Sequence, residues 1–288
     1  MEVVLVINRA AESEDFSELS STIQDTWKKP VRLIKDPTEI IEIATTLEGR
    51  VLVINQSDMM CNSYIPSLCE QYTLPYMGSD PLTSALCQDK ASMKTILTLN
   101  KIPVPFGYLW DDKEDHTWRS PMILKPNNWR TILIDENNVV DTLEDARLLA
   151  YSLLEEVPSV LVEEFIEGRT ASISLFDTKD GVHVLPPMES ASKGLRSPLG
   201  GYILAGYRKQ ELDLLISVAK RAYQAVGCCD WATVEIQMGV NMLPNVISIH
   251  TNPKFISEDP FYYALDAGGV TLAEFLNFVQ PMGAKNVE

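Results

Sequence analysis

The sequence predicts an α/β unit followed by α+β material, and three observations carry that reading. Strand-length apolar runs that do not alternate, Val3–Ile7 and Val51–Asn55 among them, are separated by helical patterns near the start. That is how parallel strands buried on both faces read. From about Met122 onward, short strand-like runs succeed one another in an antiparallel rhythm. Finally, 288 residues with 45% hydrophobic and 22% charged composition exceed the roughly 100–200 residues of one domain and rule out disorder as the dominant state.

In chain order, Val3–Ile7 is a first buried strand, Ser17–Trp27 a helix, and Val31–Ile34 a second strand. Glu39–Leu47 carries Ile40, Ile43, Ala44 and Leu47 at helical spacing, and Val51–Asn55 closes a β-α-β-α-β alternation. Such alternation predicts a small, doubly wound, Rossmann-like parallel sheet. Tyr64–Tyr72 adds a helix, and the unit ends near Ser79. Pro81–Asn100 then reads as one continuous helical stretch. Met122–Pro126 and Thr131–Ile134 read as strands, Thr142–Leu154 as a helix, and Val160–Ile166 as a strand running into Gly168. Ala171–Phe176 and His183–Pro186 continue the antiparallel pattern, and Gln210–Val226 is a long amphipathic helix. Trp231–Met238 and Val246–His250 are the last strands, before a helix from about Leu272 to Phe278. Neither an internal repeat nor a low-complexity segment interrupts this order.

Charge and cysteine usage bound the function. A formal net charge of −16 gives no general attraction for nucleic acid, whose binding depends on neutralising phosphates. Any nucleotide site must instead consist of specific basic residues that locally reverse the field. The longest apolar runs fall far short of a membrane span of about 20 residues, and the opening residues read as a strand rather than a signal peptide. Cys61, Cys69, Cys87, Cys228 and Cys229 lack metal spacing and read as reduced thiols of a cytoplasmic protein. Cys228 and Cys229 are adjacent on what reads as a strand, so they are expected on opposite faces.

Four ordered segments resemble the ATP-grasp superfamily, and within it the D-alanine–D-alanine ligases. They are Leu74–Lys90, ending in Asp-Lys; Pro121–Pro126, with its Lys-Pro; Val160–Gly168; and the pair GCCDWATVEIQM and ISIHTNPKF. Together they cover most of Leu74–Leu276. The resemblance implies an ATP-grasp fold in three parts: a Rossmann-like domain at 1–79, a central subdomain at 80–162 and a C-terminal subdomain at 163–288. It also implies carboxylate–amine ligase chemistry, in which ATP phosphorylates a carboxylate and an amine displaces the phosphate. Lysines would neutralise the phosphates, and magnesium held by carboxylates and an amide would take up the transferring charge.

Carried over residue by residue, the pattern is uneven. Lys90 and Lys125 match the two phosphate-binding lysines; a lysine on an apolar strand is costly to bury without a partner, and the alternative is a surface position. Glu163 matches the acid that takes the adenine amino group, against the alternative of a solvated strand-end carboxylate. Phe165 and Ile166 match the adenine walls, or else ordinary core. The phosphate loop falls at Asn127–Thr131, which has no glycine but offers Arg130, and the ribose acid is Thr170. Glu235 matches the first metal carboxylate, while Ser248 replaces the second and His250 the amide ligand. Thr233 stands for the phosphoryl-steadying arginine, and Lys254 for the turn glycine. On the first-substrate side the matching stretches are Asn8–Glu14 and Gln56–Ser63, and a shortened capping loop between Met188 and Tyr202 offers Lys193.

These losses fall on metal, γ-phosphate and substrate positions. They imply a homologue with ligase chemistry lost or weakened, binding ATP at most and ill suited to magnesium, which demands oxygen ligands in octahedral array. Arg130, Lys193 and Lys254 are its candidate catalytic cations. Two other readings stay open: an active ligase for a different carboxylate and amine, and a metal-free small-molecule sensor or scaffold. The expected partners are a nucleotide or small molecule and, by family analogy, a second copy of the chain; nucleic acid and membrane are not expected.

Overall fold

A strand buried on both faces must send alternate side chains into two different cores, and the first strand does so. In the computed structural model, β1 (Glu2–Val6) is flanked by β2 (Val31–Ile34) and β3 (Val51–Asn55), and β4 (Tyr76–Met77) completes a parallel sheet in the order β2-β1-β3-β4. Val4, Val6, Val51 and Val53 enter one core with Ile40 and Ile43 of α2 (Glu39–Leu47) and Ile65 of α3 (Tyr64–Gln71). Val3, Leu5, Leu52 and Ile54 enter another, with Leu19 and Ile23 of α1 (Ser17–Trp27). The structure describes residues 1–7, 16–47, 51–57, 62–111, 117–128, 135–191 and 201–279.

The stretch expected as one helix over Pro81–Asn100 is two, α4 (Pro81–Gln88) and α5 (Lys90–Leu99). Asp89 divides them: its backbone is extended, and its side chain accepts from the amide of Ser92 at 2.8 Å, capping the second helix. An aspartate that satisfies the orphan amides of a new helix start ends the old one at the same residue.

A central antiparallel sheet follows in the order β5-β8-β6-β7. Its strands are β5 (Gly107–Leu109), β6 (Met122–Pro126), β7 (Val139–Val140) and β8 (Val160–Glu164), and α6 (Leu143–Leu154) covers one face through Ala146, Ala150 and Leu153. The strand expected at Thr131–Ile134 lies outside the described residues.

The third sheet runs β12-β11-β9-β13-β14, with β10 also paired to β9. Its strands are β9 (Gly168–Thr178), β10 (Gly181–Val184), β11 (Met188–Ser190), β12 (Tyr202–Leu204), β13 (Trp231–Gly239) and β14 (Pro244–His250). The long helix α7 (Lys209–Ala225) packs Leu215, Val218 and Ala222 against Ile173, Leu175, Ala232, Val234 and Ile236. Cys228 and Cys229 lie in the turn between α7 and β13 rather than in a strand, Cys228 buried and Cys229 half-buried. Gly227 at φ +81 and Asp230 at φ +61 bracket them, which an extended strand does not allow.

Two final helices, α8 (Pro260–Ala267) and α9 (Leu272–Phe278), return the chain to its beginning. Phe176, Trp231, Phe255, Phe261 and Phe275 form an aromatic cluster, with edge-on pairs at centroid separations of 5.0–5.3 Å for Trp231–Phe255, Phe176–Phe275 and Phe261–Phe275. The same cluster contains Val3, Leu5, Leu52 and Ile54, so the first and third sheets share a core.

Candidate functional site

Glu163 on β8 sits opposite Ile123 of β6, one pleat from Lys125, and reaches two cations. Its Oε1 pairs with Lys94 Nζ of α5, and its Oε2 with Lys125 Nζ. All three are buried, Glu163 to 1% exposure. The carboxylate is therefore not a solvated strand end, and Lys125 is not a surface lysine. Glu163 is committed to ion pairs, so it holds Lys125 in place. Burial, and after it the charges of Lys125 and Lys90, push the Lys94 ammonium well below the ordinary lysine range.

Lys90, the first residue of α5, lies close by. Its Nζ donates to the carbonyls of Pro126 and Asn127 at 3.1 and 3.0 Å. Asn127 is gripped in turn, donating from Nδ2 to Asp89 at 2.8 Å and accepting at Oδ1 from the amide of Ala91 at 2.9 Å. The break between α4 and α5 thus places Lys90 against the end of the strand that carries Lys125. Phe165 and Ile166, between β8 and β9, are half-buried and lie outside the core clusters, so they are not core residues. Arg130 and Lys193 lie outside the described residues.

The second group stands on the third sheet. One face of β9 and β13 is apolar and meets α7; the other carries Thr170, Ser172 and Ser174 opposite Gln237, Glu235 and Thr233. Ser248 and His250 of β14 continue the row, opposite Glu235 and Thr233. Ser174, Thr233, Ser172, Ser248 and Glu235 are nevertheless buried. Ser248 Oγ donates to Glu235 Oε2, and His250 Nε2 lies 3.2 Å from the same oxygen and 3.2 Å from Ser248 Oγ. Thr170 Oγ1 donates to Gln237 Oε1, so two neutral side chains occupy the place of the expected ribose acid.

This triangle does not fit magnesium. It offers one carboxylate, a hydroxyl and a ring nitrogen, while magnesium takes oxygen ligands in near-ideal octahedral geometry. Among the described residues, no three His, Cys, Asp or Glu side chains converge to hold a metal. Nor is it a nucleophile relay, since a single ring nitrogen faces both the serine and the carboxylate, whereas a relay uses both nitrogens.

Beyond β14 the chain turns through Thr251–Phe255 and docks on the first sheet. The buried Gln56, just past β3, accepts from the amide of Phe255 at 2.9 Å and donates to the carbonyl of Pro253 at 3.4 Å. Asn252 Nδ2 donates to the carbonyl of Ser57 at 2.9 Å. Lys254 is buried in this turn, its amide donating to Asp259, the N-cap of α8, at 2.9 Å. Sequence reasoning missed Lys94, which had a signal, since it follows Lys90 by one helical turn. Gln56 and Asn252 fall within the matched stretches Gln56–Ser63 and ISIHTNPKF, but their contacts across the two segments leave no local signal.

No family model matches the chain. It is 30% identical over 202 residues to a D-alanine–D-alanine ligase of a Synechococcus species, covering 62% of this chain and 59% of the relative. It is 28% identical over 255 residues to that of Bordetella petrii, covering 82% and 76%. The chain spans about three-fifths of the first two curated relatives, 59% and 62% of their lengths. Among solved structures, the D-alanine–D-alanine ligase of Bacillus anthracis complexed with ATP superposes with a TM-score of 0.77 at 19% identity, covering 97% of this chain and 96% of that one. The VanG D-Ala:D-Ser ligase of Enterococcus faecalis gives 0.75 at 18% identity, covering 96% and 98%. Among the described residues no helix is long and apolar enough to cross a membrane.

Proposed function

We propose that this chain, a D-alanine–D-alanine ligase-like protein of the ATP-grasp superfamily, binds an adenine nucleotide but has lost the magnesium-driven phosphoryl transfer of a ligase. The observation that carries the reading is the Glu235–Ser248–His250 triangle, in which the residues at the metal positions satisfy one another. Magnesium would have to break two of those contacts to gain one carboxylate.

Nucleotide binding rests on the other group. Lys90 and Lys125 bring two cations to one strand end of an otherwise acidic chain, and Glu163 and Lys94 fix Lys125 from behind. Phosphate oxygens are the ligands such a pair would take, as a site preformed to attract anions. Phe165 and Ile166, half-exposed on the connection between the sheets, would wall the base. Lys254, buried in the turn that follows the triangle's strand, is the candidate for a positive charge in place of a metal.

Titration calorimetry with ATP, with and without magnesium, tests the reading. Binding that is the same in both conditions supports it; tight binding only with magnesium would sink it. ADP release over a panel of amino acids and dipeptides would favour an active ligase with a different substrate instead. Silence in both assays leaves a scaffold. Replacing Ser248→Glu and His250→Asn together is expected to create magnesium dependence of at least about tenfold in affinity, a change of about 1.4 kcal/mol.

A further inference from the structure

The apolar face of β9 and β13 runs out of side chains at one end. The two strands finish opposite each other at Gly168 and Gly239, which have none to give the core. Neither position accepts one. A Cβ on Gly168 would stand 1.9 Å from the carbonyl of Met238, and one on Gly239 would meet Asn241 Oδ1 at 2.7 Å. A cavity of about 160 Å³ is left between this strand end and Tyr207, on the connection from β12 to α7. Met238 lines it from the core, 4% exposed, while Val240 and Met242 line it from the surface, 74% and 38% exposed.

Arg169 and Glu211 complete the lining, and both charges are already paired. Arg169 donates to the two carboxylate oxygens of Glu189 at 2.8 and 2.6 Å and to the carbonyl of Gly206 at 3.2 Å. Its guanidinium lies 4.2 Å from the centre of the Tyr207 ring. Glu211 accepts from Arg208 Nε at 2.6 Å and from the Arg208 amide at 2.9 Å. An ion entering the cavity would give up its water without gaining a partner, which is costly. A neutral apolar group gains by the same transfer.

We propose that this cavity is a binding site for a small neutral molecule that buries one aromatic ring. An apolar cavity of about 150 Å³ holds a single benzene ring. Methionine sulfur and the tyrosine ring both make favourable contacts with aromatic rings, which selects such a ring over an aliphatic group of equal size. Alternation along the strands puts Thr170 and Gln237 on the opposite face of the sheet, so the site is separate from the nucleotide reading and does not depend on it.

The test is saturation-transfer NMR on the full chain without nucleotide, with benzyl alcohol as the probe. Saturable binding of benzyl alcohol is expected, and benzoate and benzylamine should bind at least about tenfold more weakly. Val240→Asp places a charge at the mouth and, on so exposed a side chain, leaves the fold intact; Tyr207→Ala removes a wall. Both should weaken benzyl alcohol binding, Val240→Asp by about tenfold or more. Leu82→Asp, an exposed change on α4, should leave it unaltered. The proposal is overturned if benzyl alcohol shows no saturable binding, if either charged analogue binds as well, or if Val240→Asp binds like the wild type.

Discussion

Glu163 neutralises two lysines in a place almost without water, and removing it would leave both ammonium groups without their carboxylate. Breaking a buried ion pair from one side costs about 3–5 kcal/mol, so Glu163→Ala is expected to lose that much in urea denaturation. The alkaline behaviour has a definite sign. Lys94 holds its proton less firmly when folded than when unfolded, so between its folded pKa and the ordinary value of 10.5 the unfolded chain binds more protons. Stability therefore rises with pH through that window and is lowest below it. Urea midpoints should climb for the wild type as pH rises toward 10.5 and climb less for Lys94→Met. The sequence made Lys125 and Glu163 separate candidates for nucleotide contact. It did not make them partners, because the pairing crosses two strands and a helix and no local pattern records it.

At the scale of elements, the break at Asp89 matters most. Asp89 caps α5 through one oxygen and holds Asn127 through the other, so it positions Lys90 and the end of β6 together. Asp89→Ala should cost about 0.5–2 kcal/mol as a lost cap and also weaken nucleotide binding. A purely structural cap would change the denaturation midpoint alone, and calorimetry separates the two. Gly168 begins β9 at φ +157, where a Cβ would stand 1.9 Å from the carbonyl of Met238. Gly168→Ala is expected to cost more than about 1 kcal/mol, the centre of the range for point substitutions, and to fray the start of the β9–β13 pairing seen by amide exchange. Most long elements were legible, since α1, α7, α9 and the parallel strands carry strong periodicity or continuous apolar runs. β5, β11 and β12 have three residues each, too few to show a period. The start of α8 was written plainly in Asp259-Pro260, a cap followed by proline, yet its short apolar stretch blended with its surroundings.

For the whole molecule, the aromatic cluster is decisive. Phe275 touches Phe176, Trp231, Phe255 and Phe261, and the cluster continues into β1 and β3. Phe275→Ala is expected to cost about 3–5 kcal/mol and to reduce the near-ultraviolet dichroism of Trp231, with the first and third sheets melting together. The fold class, a parallel sheet followed by antiparallel sheets, was readable from apolar runs spread over most of the chain. That its first and last parts would share a core was not, because contacts between strands near residue 5 and a helix near residue 275 leave no trace in either segment's periodicity.

The joint core also sets a timetable for synthesis. A ribosome releases β1 and β3 long before α9, and until the aromatic cluster from Phe176 to Phe275 has emerged one face of the first sheet lacks most of its cover beyond α1. Val3, Leu5, Leu52 and Ile54 must then wait in solution, or in the grip of a chaperone, for about as long as the remaining two hundred residues take at 5–20 residues per second. A chain cut short before α8 would keep its parallel strands and its lysine pair but never close that face. Such a product should be found with holdase chaperones or in aggregates rather than as a smaller working protein.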